Sequence, residues 1–422
     1  MEQQDFDRAC RFINALVAAV QRHGVSSSSM ELLLVRVTRA LGLKGQFLAT
    51  PTQVQSIIWD SDEDNQRLHI SVAKAGNYDL CKLAQISEVV GQVEAGLLDP
   101  VSAQVSIRAI DRADPVYGPA VEALSFILCG LGFGVILGGT WLEVALGGAV
   151  SLASFALKRM AARSESLNIA LELVVAAVAA ALATILTLEF PGIDPVVVTV
   201  CAIIFFVPGF GLTLGASELM NGNTLSGLLG FVSAAVASLK LVMGLLIGSA
   251  LVRDVMSMPA PVDAPGVPDV WTWAFAPLLV LGLAILFRVR LKDMGWPLLA
   301  GIVVWAGVQL GAGFGYWQGT FIGAFLLMGG ARLFARLSGL SATIILLPAV
   351  MLLVPGVAAL GALYDVQSLG AAAGLKSTVE FFVLVAALLG GLLCGDAVWS
   401  INNAAVATVN SKIVHRTPEN EK

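Results

Sequence analysis

Two dipeptides interrupt the most apolar stretches of this chain. "CAIIFFVPGFGLTL" carries Pro208 and Gly209, and "AVMLLVPGVAAL" carries Pro355 and Gly356. Proline removes a backbone donor and clashes with the preceding turn, while glycine adds backbone freedom. Inside a membrane-spanning run, each pair therefore predicts a kink or break near the bilayer midplane. Backbone groups freed there are costly in lipid and must face protein or a polar cavity. A half-helix restarting at Gly209 or Gly356 would aim bare amides, and the positive end of its dipole, into that cavity. Such ends favour carboxylates. The chemistry on offer is capture of a small anion or amino acid, with Gly211 and the hydroxyls of Thr213 and Thr343 as candidate neighbours.

Charges within apolar runs add to this set. Lys240 falls in the fifth run and could hold a substrate carboxylate or neutralise Asp396 or Glu172. Asp396 falls in the tenth run. Glu172 lies one turn into the third, with Asn168 four residues earlier as a supporting polar group on the same face. Ionisable groups in a bilayer are expensive and usually mark a pathway. All three histidines lie outside the runs, which leaves Asp396 and Glu172 as candidate proton carriers. A structural ion pair is the competing reading. Glu122 and Glu143 sit near run ends and are expected to reach an interface.

These residues need elements to hold them. With 57% hydrophobic and 13% charged residues, the composition excludes an ordinary soluble protein and fits a polytopic membrane protein. Runs long enough to cross a bilayer fall near 119–138, 141–157, 168–188, 194–218, 226–251, 269–288, 295–313, 318–336, 341–364 and 378–400. Placing the N-terminus inside puts Lys158, Arg159, Arg163, Arg288, Arg290, Lys292, Arg332 and Arg336 in cytoplasmic connections. The outer loops carry only Arg253 and Lys376. This positive-inside bias supports ten transmembrane helices with both termini cytoplasmic. The first residues are acidic and polar and lack the features of a signal peptide.

The two Pro-Gly pairs lie 147 residues apart, and the same offset relates Glu218 to Asp365, Gly244 to Gly391 and Gly248 to Gly395. A unit of five spans is odd-numbered, so its second copy enters the membrane upside down. The expected fold is an all-α polytopic membrane protein built as a 5+5 inverted repeat, the plan of many secondary transporters. The expected divisions are a cytoplasmic α+β domain (1–116), a first five-helix repeat (117–252), a Pro-rich outer linker (253–268), a second repeat (269–408) and a cytoplasmic tail (409–422).

In the leading domain, helical periodicity runs through "DFDRACRFINALVAAVQRHG" to a stop at Gly24. Ser28 with Glu31 reads as a capping box opening a second helix. "GQFLAT", "TQVQSIIW" and "QRLHISVAK" read as a strand meander, and two helices follow, near 78–96 and 100–112. The acidic turn 60–65 reads as a solvated hairpin tip, and His23 and His69 are isolated. Five scattered cysteines lack metal or redox spacing and read as packing residues. No catalytic, metal or cofactor motif is present, so an enzyme is not expected. The net charge of -5 argues against nucleic acid.

"TPTQVQSIIW", "YGPAVEALSFILCGLGFGVILGGTW" and "FFVPGFGLTLGASELMNGNTLSG" resemble the first half of the threonine/serine exporter family. "TFIGAFLLMGGARLFARLSGLSATIILLPAVMLLVPGVAALGAL" resembles its second half. The two halves are separate polypeptides in some members and are fused here. The resemblance implies proton-driven export of L-threonine and L-serine, and it implies a transport role for Pro208, Gly209, Pro355 and Gly356. It transfers no role to Lys240 or Asp396. Some two-chain members are linked to efflux of dicarboxylates such as succinate.

The resulting expectation is an exporter of small hydrophilic amino acids in a bacterial inner membrane, working by proton-coupled alternating access. Its partners would be the amino-acid substrate, protons and the bilayer, and a homo-oligomer is compatible with the sequence. Rival readings are a dicarboxylate exporter, a passive channel, and a membrane-anchored enzyme or regulatory protein acting through the N-terminal domain.

Overall fold

The computed structural model describes residues 3–24, 26–60, 66–72, 78–220, 222–253, 265–315, 317–353 and 371–414. Pro355, Gly356 and Asp365 lie outside the described residues. In α1 (Gln3–Arg22), Phe6, Cys10, Ile13, Val17 and Val20 recur at helical spacing and are all buried. The helix stops at Gly24, whose φ of 87° is easy only for glycine, and a Cβ there would run into the Tyr78 ring. Strands β1 (Lys44–Ala49), β2 (Gln53–Trp59) and β3 (Gln66–Val72) form the expected antiparallel meander. Helices α3 (Leu80–Glu94) and α4 (Pro100–Arg112) start on the side-chain caps Asp79 and Asp99.

The cap of α2 (Ser27–Ala40) corrects the sequence reading. Ser26, not Ser28, is the N-cap, and its hydroxyl accepts from Ser29 N at 3.2 Å. Ser28 instead donates its hydroxyl to Glu218 at 3.0 Å. Glu31 reaches across to accept from Ala49 N at 2.7 Å. Tertiary contacts have taken both members of the expected local box.

The other described residues are mainly helical: α5 (Pro119–Ile136), α6 (Trp141–Ala161), α7 (Glu165–Ile169), α8 (Leu171–Glu189), α9 (Pro195–Ile203), α10 (Gly209–Met220) and α11 (Thr224–Arg253). Beyond residue 264 come α12 (Thr272–Leu286), α13 (Gly295–Ala312), α14 (Gln318–Ser338), α15 (Thr343–Val350) and α16 (Ala371–Val414). Among the described residues, eight helices are long and apolar enough to cross a bilayer, and α9 with α10 gives a ninth, bent by 55°. Of the ten expected spans, the run at 341–364 is described only as far as Leu353.

Contacts sort the helix ends into two faces. On one, α3 sinks Leu80, Leu83 and Ala84 into an apolar cluster with Phe287, Val289, Ile344 and Ile345. Around it, Arg288 pairs with Asp79 at 3.0 Å, Arg290 pairs with Glu88 at 2.8 Å, and Tyr117 donates its hydroxyl to Val289 O at 2.6 Å. The α10–α11 turn meets the same domain through Ser28–Glu218 and a 2.7 Å contact between the Ser27 and Ser226 hydroxyls. The N-terminal domain therefore touches both halves of the helical body. On the other face, Val267 N donates to Gly139 O at 2.9 Å, and the Trp141 and Trp271 rings meet edge to face at 5.3 Å.

Two helix pairs make the same contact 147–148 residues apart. Gly244 of α11 lies against Leu173 O, Ala176 Cβ and Ala177 N of α8. Gly391 of α16 lies against Phe321 O, Ala324 Cβ and Phe325 N of α14. Any side chain at either glycine would strike backbone. Likewise α9 ends at Ile203 and α15 at Val350, 147 positions on. Each is followed by a tightened turn, closed by Val207 N donating to Ile204 O and Leu353 N donating to Val350 O.

Candidate transport site

The bent α9–α10 segment is anchored at its far end by a buried acid. Glu143 accepts from Thr140 N at 2.7 Å and from Asp194 N at 2.6 Å. Asp194 in turn caps α9, accepting from Val196 N at 2.8 Å. Glu143 is thus 5% exposed and inside the fold, not at an interface as its place near a run end had suggested.

From Pro195 the helix runs to Ile203, tightens into a 3-10 turn over Ile204–Phe206, and opens at Val207, with φ -66° and ψ 118°. A residue before proline is driven out of the helical region in this way. Pro208 offers no N–H, and α10 restarts at Gly209 with its first internal bond from Leu212 N to Pro208 O. By helix geometry, the N–H groups of Gly209 and Gly211 have no carbonyl within α10. Thr213 is buried and donates its hydroxyl back to Gly209 O at 3.0 Å. Pro208, Gly209, Gly211 and Thr213 all lie at this break or in the first turn of α10.

The surroundings of the break include residues that sequence reasoning passed over. Phe205 packs edge-on against Phe206 and against Phe126 of α5, and Phe206 meets Phe126 at a tilt. The Lys158 ammonium lies 4.7 Å from the centroid of the Phe205 ring and pairs with Glu122 at 2.8 Å. In the sequence, Lys158 looks like one of the cytoplasmic cations and Glu122 like an interfacial acid. The available signal was the stripe Ser151, Phe155, Lys158 at helical spacing, which turns one face of α6 toward α5 and the break. Beyond the break, Leu212 packs against Phe381, Val385 and Leu389 of α16, so α10 also abuts the second half. At its other end Glu218, 3% exposed, accepts from Ser28 Oγ and from Asn223 Nδ2 at 2.9 Å.

The remaining candidates sit elsewhere. Lys240 donates to Ile169 O at 2.8 Å and faces Glu172 at 3.5 Å, one of the two pairings the sequence allows. Asp396 instead pairs with Arg332 at 2.6 Å, on α16 and α14. Asn168 is exposed in α7, and the chain turns at Ala170 before α8, so Asn168 and Glu172 do not share one continuous helix face. Thr343 opens α15, where Ser341 Oγ contacts its hydroxyl at 3.0 Å. Among the described residues, no cluster of three or more His, Cys, Asp or Glu is placed to hold a metal ion.

Comparison with known proteins agrees with this helical plan. A family model described as a threonine/serine exporter matches residues 11–252. A second, described as "Threonine/Serine exporter, ThrE", matches residues 272–398. Among curated relatives, "Pheromone-regulated membrane protein 10" of Candida albicans is 24% identical over 363 residues, covering 82% of this chain and 32% of that protein. The protein of the same name from Kluyveromyces lactis is 24% identical over 255 residues, covering 57% of this chain and 26% of that protein. "Uncharacterized protein C16A10.01" of Schizosaccharomyces pombe is 22% identical over 392 residues, covering 89% and 46%. The chain thus spans between a quarter and a half of the length of these relatives. No solved structure matches it.

Proposed function

Because this multi-pass membrane chain belongs to the threonine/serine exporter family, we propose that it exports small hydrophilic amino acids, L-threonine and L-serine, from the cytoplasm. The observation that carries the reading is the break at Val207–Pro208, where α10 restarts at Gly209 and the Lys158–Glu122 pair lies against Phe205 just before it. Bare amides at a helix start are suited to a carboxylate. Carbonyls released at the break, with Glu122 close by, suit an ammonium. In this reading Pro355 and Gly356, which lie outside the described residues, share the transport role of Pro208 and Gly209, and the hydroxyls of Thr213 and Thr343 contact the substrate or its path.

Export would proceed by alternating access of two inverted five-helix units in a bacterial cytoplasmic membrane, with both termini inside. The matched glycine contacts of α8–α11 and α14–α16 support that duplication. Proton coupling is assigned to Glu172 or Asp396, with Lys240 as the cation that modulates Glu172.

A zwitterionic substrate is favoured over a dicarboxylate by the cations. Lys158 and Lys240 already face Glu122 and Glu172. Neither leaves a free positive charge for a second carboxylate. Counterflow in proteoliposomes tests the reading. Threonine or serine should exchange, succinate should not, and collapse of the proton gradient should stop uphill efflux. Pro208→Ala should cut exchange at least about tenfold by closing the helix over its exposed amides. Preferential succinate exchange would end the amino-acid reading.

A further inference from the structure

A cavity of about 310 Å³ opens between α1 and α4 of the N-terminal domain, away from the broken helix. Ala15, Ala18 and Ala19 of α1 and Ile107 of α4 make the space, because small side chains on one helix leave the facing helix unfilled. Its polar lining carries both signs. Arg11 and Arg108 stand at it with no ion-pair partner among the described residues. Asp111 is held on one side by Arg22 at 2.8 Å and His23 at 3.1 Å.

Two carboxamides complete the lining. Gln104 is only 9% exposed, yet has no hydrogen-bond partner among the described residues. Asn14 also borders the cavity, but its Oδ1 is enclosed by protein and does not open to it. Buried polar groups are normally satisfied. Gln104 lines the cavity with an unpartnered amide on an otherwise enclosed side chain, and such a group marks a place where a ligand supplies the missing bonds.

We propose that this cavity binds a small amino acid, with its carboxylate on Arg11 and Arg108 and its ammonium on Asp111 and the Gln104 carbonyl oxygen. Gln104 bridges the two ends, since its amide both donates and accepts. Guanidinium pairs suit a carboxylate, and an orphan carbonyl oxygen calls for an N–H donor. Inorganic phosphate or a dicarboxylate would bring a further negative charge to Asp111. The site also adjoins the docking helix. Lys82 of α3 donates to Asp111 O at 2.8 Å, and Asp79, which caps α3, pairs with Arg288 of the helical body. Occupancy is thereby linked to how the domain sits on the membrane helices. The assignment stands on the cavity alone and does not rest on the export reading.

Titration calorimetry of the full chain in nanodiscs, with L-threonine, L-serine, succinate and inorganic phosphate as probes, tests the proposal. Hydrogen exchange locates the binding. An amino acid should bind and protect amides of α1 and α4. Arg108→Ala, at an exposed position, should weaken binding at least about tenfold with the melting temperature unchanged, and Gln104→Glu, which keeps the shape and adds a charge, should weaken it by a similar factor. Absence of amino-acid binding overturns the proposal, as does binding of succinate or phosphate alone. So does amino-acid binding that both variants leave intact, which would place the ligand in the helical body. Failed counterflow with protected α1 and α4 amides would defeat the export reading and leave this site standing.

Discussion

A lysine beside a broken membrane helix needs a counter-charge, and Glu122 supplies it to Lys158 at 2.8 Å. Removing one partner strands the other in a poorly solvated place, whereas removing both does not. Lys158→Met is therefore expected to lower stability by roughly 3–5 kcal/mol, and Lys158→Met with Glu122→Gln to recover most of it. Thermal unfolding in detergent reads both. If the pair also serves the substrate, the double variant refolds without regaining exchange. His23 gives a pH prediction in the N-terminal domain. Burial pushes its pKa below the ordinary 6.5, against the upward pull of Asp79 and Asp111, while Lys82 adds a small downward push. Arg22 already balances Asp111, so the imidazole need not carry a proton. A depressed folded pKa contributes stability that is complete above about pH 6.5 and lost as pH falls through the folded value. Melting of this domain should drop between about pH 7 and 5, and His23→Gln should flatten that drop. An unchanged slope in the variant would remove His23 as the cause.

The glycine contacts carry the prediction that belongs to helices. Gly244→Val and Gly391→Val each push a side chain into the backbone of the partner helix, Leu173 O in one case and Phe321 O in the other. Overpacking of this kind costs typically about 1–3 kcal/mol, and both variants should melt early. Gly330→Ala on α14 meets nothing within 4 Å and should be silent or slightly stabilising. Equal behaviour of all three would discount the contacts as structural. Helices were the most legible feature of the sequence, because apolar run length and proline placement act locally: α10 begins at the residue expected. Side-chain partners were less legible. Ser28 satisfied the rule for a helix cap yet serves Glu218, 190 positions away. Glu143 looked interfacial because nothing nearby in sequence announces Asp194 N as its donor. Lys158 was hidden among cytoplasmic cations because a charge count ignores which face of α6 it occupies. Such contacts depend on packing that composition and spacing do not encode.

At the scale of the molecule, the N-terminal domain is fastened to both halves of the helical body. Glu218 is its tie to the first half, and Arg288 and Arg290 are its ties to the second. Asp79 is 2% exposed, so its pair with the partly exposed Arg288 is shielded from water on the carboxylate side. Asp79→Arg should loosen the domain and speed proteolysis between residues 113 and 118. The charge swap Asp79→Arg with Arg288→Asp should slow it again. Cleavage at the wild-type rate in the single variant would show that the apolar patch around Leu80 and Leu83 holds the domain unaided.

On the opposite face, Trp141 precedes the linker and Trp271 follows it, with their rings 5.3 Å apart. Two indoles this close perturb each other's ultraviolet transitions, so the molecule contains its own optical gauge. If the halves separate on that side during turnover, near-ultraviolet dichroism would track the separation without an attached dye, and Trp141→Phe would silence the signal.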